Sequence, residues 1–270
     1  MAGEAPVATL HGWQVGPFTG GGLTYDVYEK GSGPGVVLIP EVPGLTPEVF
    51  GLAEHLVESG FTVAVPSPFG TPEKPATTGY TLGVVAKLCV SAEFRAFATD
   101  AHRPITDFFR AVAADLASRT PASGVGVIGM CFTGGFALAT AVDGSVLAAV
   151  MSQPAVPFPL GAARSADPGL SQSELQTVVD RTANGGLCVM GLRFSEDRSV
   201  SPLRFAGLKA RLGDAFEVIQ LDSSAGNPDG FSTGAHSVLT GEVRVDPPNA
   251  AFDARARVVE FLRTQLAGSR

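Results

Sequence analysis

The stretch of this chain best equipped for chemistry is Gly126-Val127-Ile128-Gly129-Met130-Cys131-Phe132-Thr133-Gly134-Gly135, where two apolar runs meet at one reactive side chain with small neighbours. It reads as a strand turning sharply into a helix, so tightly that its neighbours must be small and the reactive residue is lifted above the sheet. A cysteine placed there is suited to be a nucleophile. The N–H of Phe132 would face a developing oxyanion, and the helix N-terminus would favour the thiolate. Such a nucleophile needs a base, and the base needs an orienting carboxylate. Of the four histidines, His236 in Gly234-Ala235-His236-Ser237 closes a polar loop near the C-terminus. Asp197 lies between them, in Phe194-Ser195-Glu196-Asp197-Arg198-Ser199, with Glu196 a second candidate for the acid. The chain order is then nucleophile, acid, histidine.

Other readings of these residues are weaker. A cysteine in apolar surroundings is commonly a small buried hydrophobe, and that reading is kept for Cys188, inside an apolar run, and for Cys89, which has no base motif nearby. At Cys131 the glycine framing argues for the nucleophile. Gly124-Val125-Gly126-Val127-Ile128-Gly129 matches the GxGxxG spacing of dinucleotide sites, but those glycines must follow a strand and open a helix. Here they follow the helix end Arg119-Thr120-Pro121 and their apolar residues form the strand itself. No nicotinamide is expected, and no other cofactor. No His or Cys pair has metal-ligand spacing. His11, His55 and His102 fall in an N-terminal arm or on helix faces and read as surface residues.

The positioning elements follow from hydrophobic period and turn chemistry. Residues 12–29 read as a hairpin around a glycine-rich turn. Strands are expected at 36–40, 61–66, 125–130, 147–151, 187–192 and 216–221. Helices are expected from the cap Thr46-Pro47 to 59, around Ile105 to Leu116, at 132–142, from the capping box Ser171–Glu174 to 182, from Ser201-Pro202 to 213, and at 251–266. Residues 67–80 read as a long loop, and the loops 154–168 and 223–234 as extended ones that reshape a pocket. Strands alternating with helices of ten to fifteen residues imply an α/β fold with a mostly parallel central sheet flanked by helices on both faces. One domain over 1–270 is expected, with 1–34 a hairpin arm of it.

Composition narrows the function classes. With 45% hydrophobic and 17% charged residues, the 270-residue chain is globular rather than disordered. Its net charge of −7 and scattered arginines give no basic stripe for nucleic acid. Three cysteines without a CxxC suit free thiols in a reducing compartment. Residues 1–10 lack the basic and apolar regions of a signal peptide. The uncharged stretch 121–142 is long enough for a membrane span, but its five glycines fit a strand and buried helix better. A soluble, cytoplasmic chain is expected, monomeric or a small homo-oligomer.

These motifs resemble the dienelactone hydrolases of the α/β-hydrolase superfamily, over most of the chain from about Val36 onward. The anchors are Glu41 in Ile39-Pro40-Glu41-Val42-Pro43-Gly44, the Cys131 turn, Asp197 before Val200-Ser201-Pro202, and His236 in Ala235-His236-Ser237. The resemblance implies the α/β-hydrolase fold, a Cys131–Asp197–His236 triad and a thioester acyl-enzyme formed from a small ester or lactone. It implies that Glu41 lies beside Cys131 to accept or hold its proton, and that the N–H of Val42 joins that of Phe132 in an oxyanion hole. Members that hydrolyse dienelactone hold its carboxylate with arginines, one of them four residues after the histidine. Thr240 stands there, and Thr133 stands where glycine is usual. Arg95 and Arg204, with Arg103, are the candidates to replace the missing arginine. A general carboxylesterase or thioesterase, or a non-catalytic scaffold that binds a small ligand, are the alternatives.

Overall fold

Strands buried on both faces read as unbroken apolar runs, and Val36-Val37-Leu38-Ile39 and Val63-Ala64-Val65 are such runs, fully buried at the centre of the sheet. The computed structural model describes residues 4–267; residues 1–3 of the expected arm and 268–270 of the expected domain lie outside them. A hairpin of β1 (Gln14–Gly20) and β2 (Leu23–Gly31) is followed by β3 (Gly35–Ile39), β4 (Thr62–Pro66), β5 (Val125–Met130), β6 (Val146–Ser152), β7 (Cys188–Phe194) and β8 (Phe216–Leu221). Their order across the eight-stranded sheet is β1-β2-β4-β3-β5-β6-β7-β8. The hairpin joins β4 antiparallel, and the remaining six strands run parallel. The sheet is thus mostly parallel, as its alternation with helices implies.

The helices are α1 (Pro47–Glu58), α2 (Thr78–Val90), α3 (Ile105–Arg119), α4 (Gly134–Thr140), α5 (Ala162–Ala166), α6 (Gln172–Ala183), α7 (Pro202–Leu212) and α8 (Ala250–Ala267). Side chains alternate across each strand, so Val37, Ile39, Val127, Ala149 and Met151 pack with α3, α4, α6 and α7. Val36, Leu38, Ile128, Met130 and Val150 pack with α1 and α8 on the opposite face. The start signals act as their chemistry requires. Thr46 accepts from Val49 N–H ahead of Pro47, and Ser171 and Glu174 form both bonds of a capping box.

Helix α2 departs from expectation, because residues 67–80 read as loop and the sequence signals no helix between that loop and Ile105. Gly79 and Gly83 weaken its helical signal. Its apolar residues are also spread around the axis: Val84 and Leu88 are buried, whereas Leu82 and Val90 are exposed. Helix α5 likewise lies inside the expected loop 154–168. Cys188, read as buried, is half-exposed at the start of β7, as is Cys89 in α2; both are free thiols. The uncharged stretch 121–142 holds β5 and α4, and no helix among the described residues is long and apolar enough to cross a membrane.

Parallel register gathers the strand ends along one edge. Ile39 pairs with Gly129, Met130 with Ser152, and Ser152 with Leu192. The segments leaving β3, β5, β6 and β7 therefore emerge side by side, where open α/β sheets bind ligands. The helix after β5 sits so close to the segment leaving β6 that a Cβ on Gly134 would lie 2.6 Å from Pro154 Cα and 2.7 Å from Ser152 O. Both obstacles are backbone and cannot rotate away. Gly134→Ala should therefore destabilise the protein by about 1–3 kcal/mol, as overpacking does, read as a lowered urea midpoint; an unchanged midpoint would show that the two segments separate freely.

Candidate active site

Cys131 follows Met130 at the end of β5 with φ of +54°, a left-handed conformation unusual for a residue with a side chain. One 3-10 turn, Cys131–Thr133, joins it to α4. Two contacts fasten the turn to neighbouring strands. The Cys131 carbonyl accepts the N–H of Ala155, beyond β6, at 2.9 Å. Thr133, fully buried, places its hydroxyl 3.0 Å from Pro40 O and 3.2 Å from Ile39 O, and accepts Met130 N–H at 3.1 Å. The side chain found where the resemblance places glycine thus ties the Cys131 turn to the end of β3.

His236 stands over this turn. Its Nδ1 lies 2.6 Å from Asp197 Oδ2, and Cys131 is close enough to the ring to act on its charge. Burial alone would lower its pKa, but the charge on Cys131 and the bond and charge of Asp197 raise it well above the usual histidine value. Asp197 reaches the ring, whereas Glu196 points to solvent. The other oxygen of Asp197 accepts the N–H of Ser199 at 2.9 Å and its hydroxyl at 2.6 Å. Burial raises the Asp197 pKa, but the bonds from His236 and Ser199 outweigh it and leave the carboxyl below its ordinary range. Ser195 and Ser223 lock this loop to the exit of β8, with Ser223 N–H donating to Ser195 Oγ at 3.0 Å and Ser223 Oγ accepting Glu196 N–H at 3.1 Å. Ser199 was missed by the motif reading. An aspartate followed two residues later by a small polar residue is the signature of such a turn.

Glu41 leaves β3 into the same space and is 7% exposed. Ser237 Oγ donates to its Oε2 at 2.9 Å, Gln153 Nε2 donates to the same oxygen at 3.2 Å, and Thr240 bonds its Oε1. Burial exceeds the help of these donors and of nearby His236, so the pKa is raised and the neutral form favoured. Gln153 is fully buried with φ of +34°, a strained placement of the kind that clusters at functional sites. Nothing local in the sequence marks it. Val42 follows Glu41 and packs against the same apolar cluster as Cys131 and Phe132, so the two chain segments expected to supply oxyanion donors adjoin. A cleft of about 580 Å³ lined by Glu196, Asp197, Arg198, Ser199, Thr233 and Gly234 opens beside Asp197. Among the described residues no group of three or more His, Cys, Asp or Glu could hold a metal ion.

Comparison with known proteins decides the family, because the model of the dienelactone hydrolase family matches residues 23–266. The chain belongs to the dienelactone hydrolase family. Solved structures give its fold as that of the α/β hydrolases. A dienelactone hydrolase-like promiscuous phosphotriesterase from metagenomic libraries superposes with a TM-score of 0.60 at 16% identity, covering 94% of this chain and 98% of that one. A candidate dienelactone hydrolase of Klebsiella pneumoniae gives 0.57 at 17% identity over 96% and 100%. An esterase of Pyrococcus furiosus gives 0.57 at 13% over 94% and 93%. No curated protein matches the sequence. As a member of the family the chain is a hydrolase.

Within this dienelactone hydrolase family member the arginine expectations need correction. Arg204 is fully buried, and its guanidinium donates to the carbonyls of Pro154, Pro157, Arg164 and Asp167. Arg103, also buried, donates to the carbonyls of Ala98, Ala101 and Gly169. Arg95 is exposed and donates to His102 O at 3.0 Å. Buried guanidinium must be hydrogen-bonded, and these two are bonded to loop backbone, so neither Arg204 nor Arg103 offers a substrate-facing cation. Thr240, which replaces the family arginine, is fully buried and committed to Glu41. His102, read as a surface residue, bridges Glu174 at 2.7 Å and Asp107 at 3.0 Å.

Folded Glu41 binds its proton more tightly than the unfolded chain does, so it costs stability as pH rises above the ordinary carboxylate range. Glu41→Gln removes that titration. The Tm of the variant relative to wild type should climb as pH rises above about 4, followed by thermal unfolding at each pH; a difference independent of pH would show that burial leaves Glu41 unshifted.

Proposed function

We propose that this protein hydrolyses carboxylic esters or lactones through a Cys131–Asp197–His236 triad and a thioester acyl-enzyme. The observation that carries the reading is the imidazole of His236 held by Asp197 at 2.6 Å, with Cys131 near enough to influence its charge. The raised pKa of His236 favours the protonated imidazole that the leaving group needs as its acid.

In this reading the thiolate attacks the ester carbonyl, and the negative charge moves to the carbonyl oxygen. The N–H groups of Phe132 and Val42 bind that oxyanion. As the tetrahedral intermediate collapses, the C–O bond breaks and the imidazolium gives its proton to the departing alkoxide. The acyl group stays on sulfur as a thioester. Neutral His236 then takes a proton from water, hydroxide adds to the thioester, and the acid and thiolate are released. Asp197 keeps Nδ1 protonated throughout, and Ser199 holds Asp197. Glu41, kept toward its neutral form, adds no second negative charge beside the thiolate.

Two variants test this. Cys131→Ala should abolish release of p-nitrophenol from p-nitrophenyl acetate, a loss of roughly 10³-fold or more in kcat, and intact-protein mass spectrometry of wild type should catch an acyl adduct that the variant lacks. Full activity in Cys131→Ala would overturn the proposal, and ligand binding without turnover by wild type would favour the scaffold alternative. Ser199→Ala should lower kcat about tenfold with little change in KM, the effect of one lost bond to a charged group; Ser199→Thr, which keeps the hydroxyl, should retain most of it.

A further inference from the structure

Beside the nucleophile runs a strip of aromatic rings that the proposed chemistry does not itself use. Phe132, next to Cys131 in the turn, is almost fully buried and meets Phe158 edge-on with centroids 6.2 Å apart. Phe158 is half-buried and lies 5.6 Å from Phe97, which is 42% exposed. The strip therefore climbs from the nucleophile to solvent. It is backed by Phe94, whose centroid lies 5.7 Å from Phe132 and 6.0 Å from Phe136.

The strip and the base belong to opposite faces of the sheet. Cys131, Phe132 and Phe158 pack with the α3–α4 face, whereas Ala235 and Val238, flanking His236, pack with the α1–α8 face. A leaving group must lie on the His236 side to receive its proton. The acyl group then lies on the other side of the sulfur, against the aromatic strip.

The backbone bearing Phe158 is also short of free charge. The carbonyls of Pro154, Pro157 and Gly169 take up donors of Arg204 and Arg103, and the Arg103 guanidinium carbon sits 5.9 Å from the Phe136 ring. Arg164 reaches the strip only at its outer end, with its guanidinium carbon 6.0 Å from Phe97 and its Nε donating to Phe97 O at 3.2 Å. An acyl carboxylate placed against the strip, on the side of the sulfur away from His236, would be desolvated without a cation, while an apolar acyl group would bury its surface on rings.

Resting on the Cys131 reading above, we propose that the acyl side of the site selects neutral, apolar acyl groups, aryl or extended alkyl, laid along Phe158 and Phe97 with Phe132 as their buried support, and disfavours acyl groups that carry a carboxylate.

The test keeps p-nitrophenol as leaving group and varies the acyl part: acetate, hexanoate, phenylacetate and hemisuccinate. Wild type should show kcat/KM for phenylacetate or hexanoate at least about tenfold above acetate, with hemisuccinate lowest, the scale set by partial burial of an apolar group. Phe158→Ala and Phe97→Ala should each shrink the phenylacetate-to-acetate ratio several-fold, mainly through KM, and Phe158→Leu should restore part of it. Phe97 is exposed, so its variant tests the strip even where Phe158→Ala fails to fold. Equal rates across the neutral series, preference for hemisuccinate, or ratios unmoved in Phe97→Ala and Phe158→Leu would overturn the proposal while leaving Cys131-dependent turnover intact. Absence of any turnover or of an acyl adduct at Cys131 would instead sink the underlying mechanism and this inference with it.

Discussion

The left-handed turn at Cys131 is the constraint to which the rest of the site is fitted. A side chain in that conformation costs of order 1 kcal/mol or more, so the surroundings must enforce it. Gly129 and Gly134 let α4 approach β5 and the segment beyond β6. The Thr133 hydroxyl reaches the end of β3, and Ala155 N–H holds the Cys131 carbonyl. Each of these contacts joins a different strand end to one turn. The parallel register brings those ends level, and the turn then projects sulfur where the segments leaving β3, β6 and β7 can reach it.

Two buried carboxyls near this turn are driven in opposite directions by their surroundings. Asp197 has a charge partner and the bonds of Ser199, and it stays ionised more readily than a free aspartate. Glu41 has comparable donors but deeper burial, and the balance tips toward its proton. Such separation of like groups lets one site keep an anion against the His236 ring and a neutral acid a short distance away. Thr240 matters here because a hydroxyl can donate to a carboxylate or accept from a carboxylic acid, which an arginine cannot.

Much of this was legible before the structure. The strands 36–40 and 125–130 and the capped helices follow from local period and local donors, because those signals lie within a few residues of one another. The turn at Cys131, Asp197 and His236 are marked by short motifs in a recognisable order. Helix α2 was hidden because its apolar residues do not share a face and two glycines interrupt it. Arg204 and Arg103 were misread for a different reason. Their partners are backbone carbonyls up to 50 and 66 residues away, and a carbonyl has no sequence signature. The same holds for Thr133 with the end of β3, while Gln153 meets the Glu41 carboxyl across 112 residues of sequence, a distance no local motif spans.

The arginine-bonded excursion after β6 bears on how substrate comes and goes. Arg204 and Arg103 together hold Pro154, Pro157, Asp167 and Gly169 by their carbonyls from beneath. To swing that segment outward would break several charge-assisted bonds at ~1.5–3 kcal/mol each and strand buried cations. A state with this wall lifted would be populated at far less than about one part in a thousand. The segment is thus a fixed bank rather than a gate, anchored to the body of the protein by the same two guanidinium groups that leave it no freedom to swing.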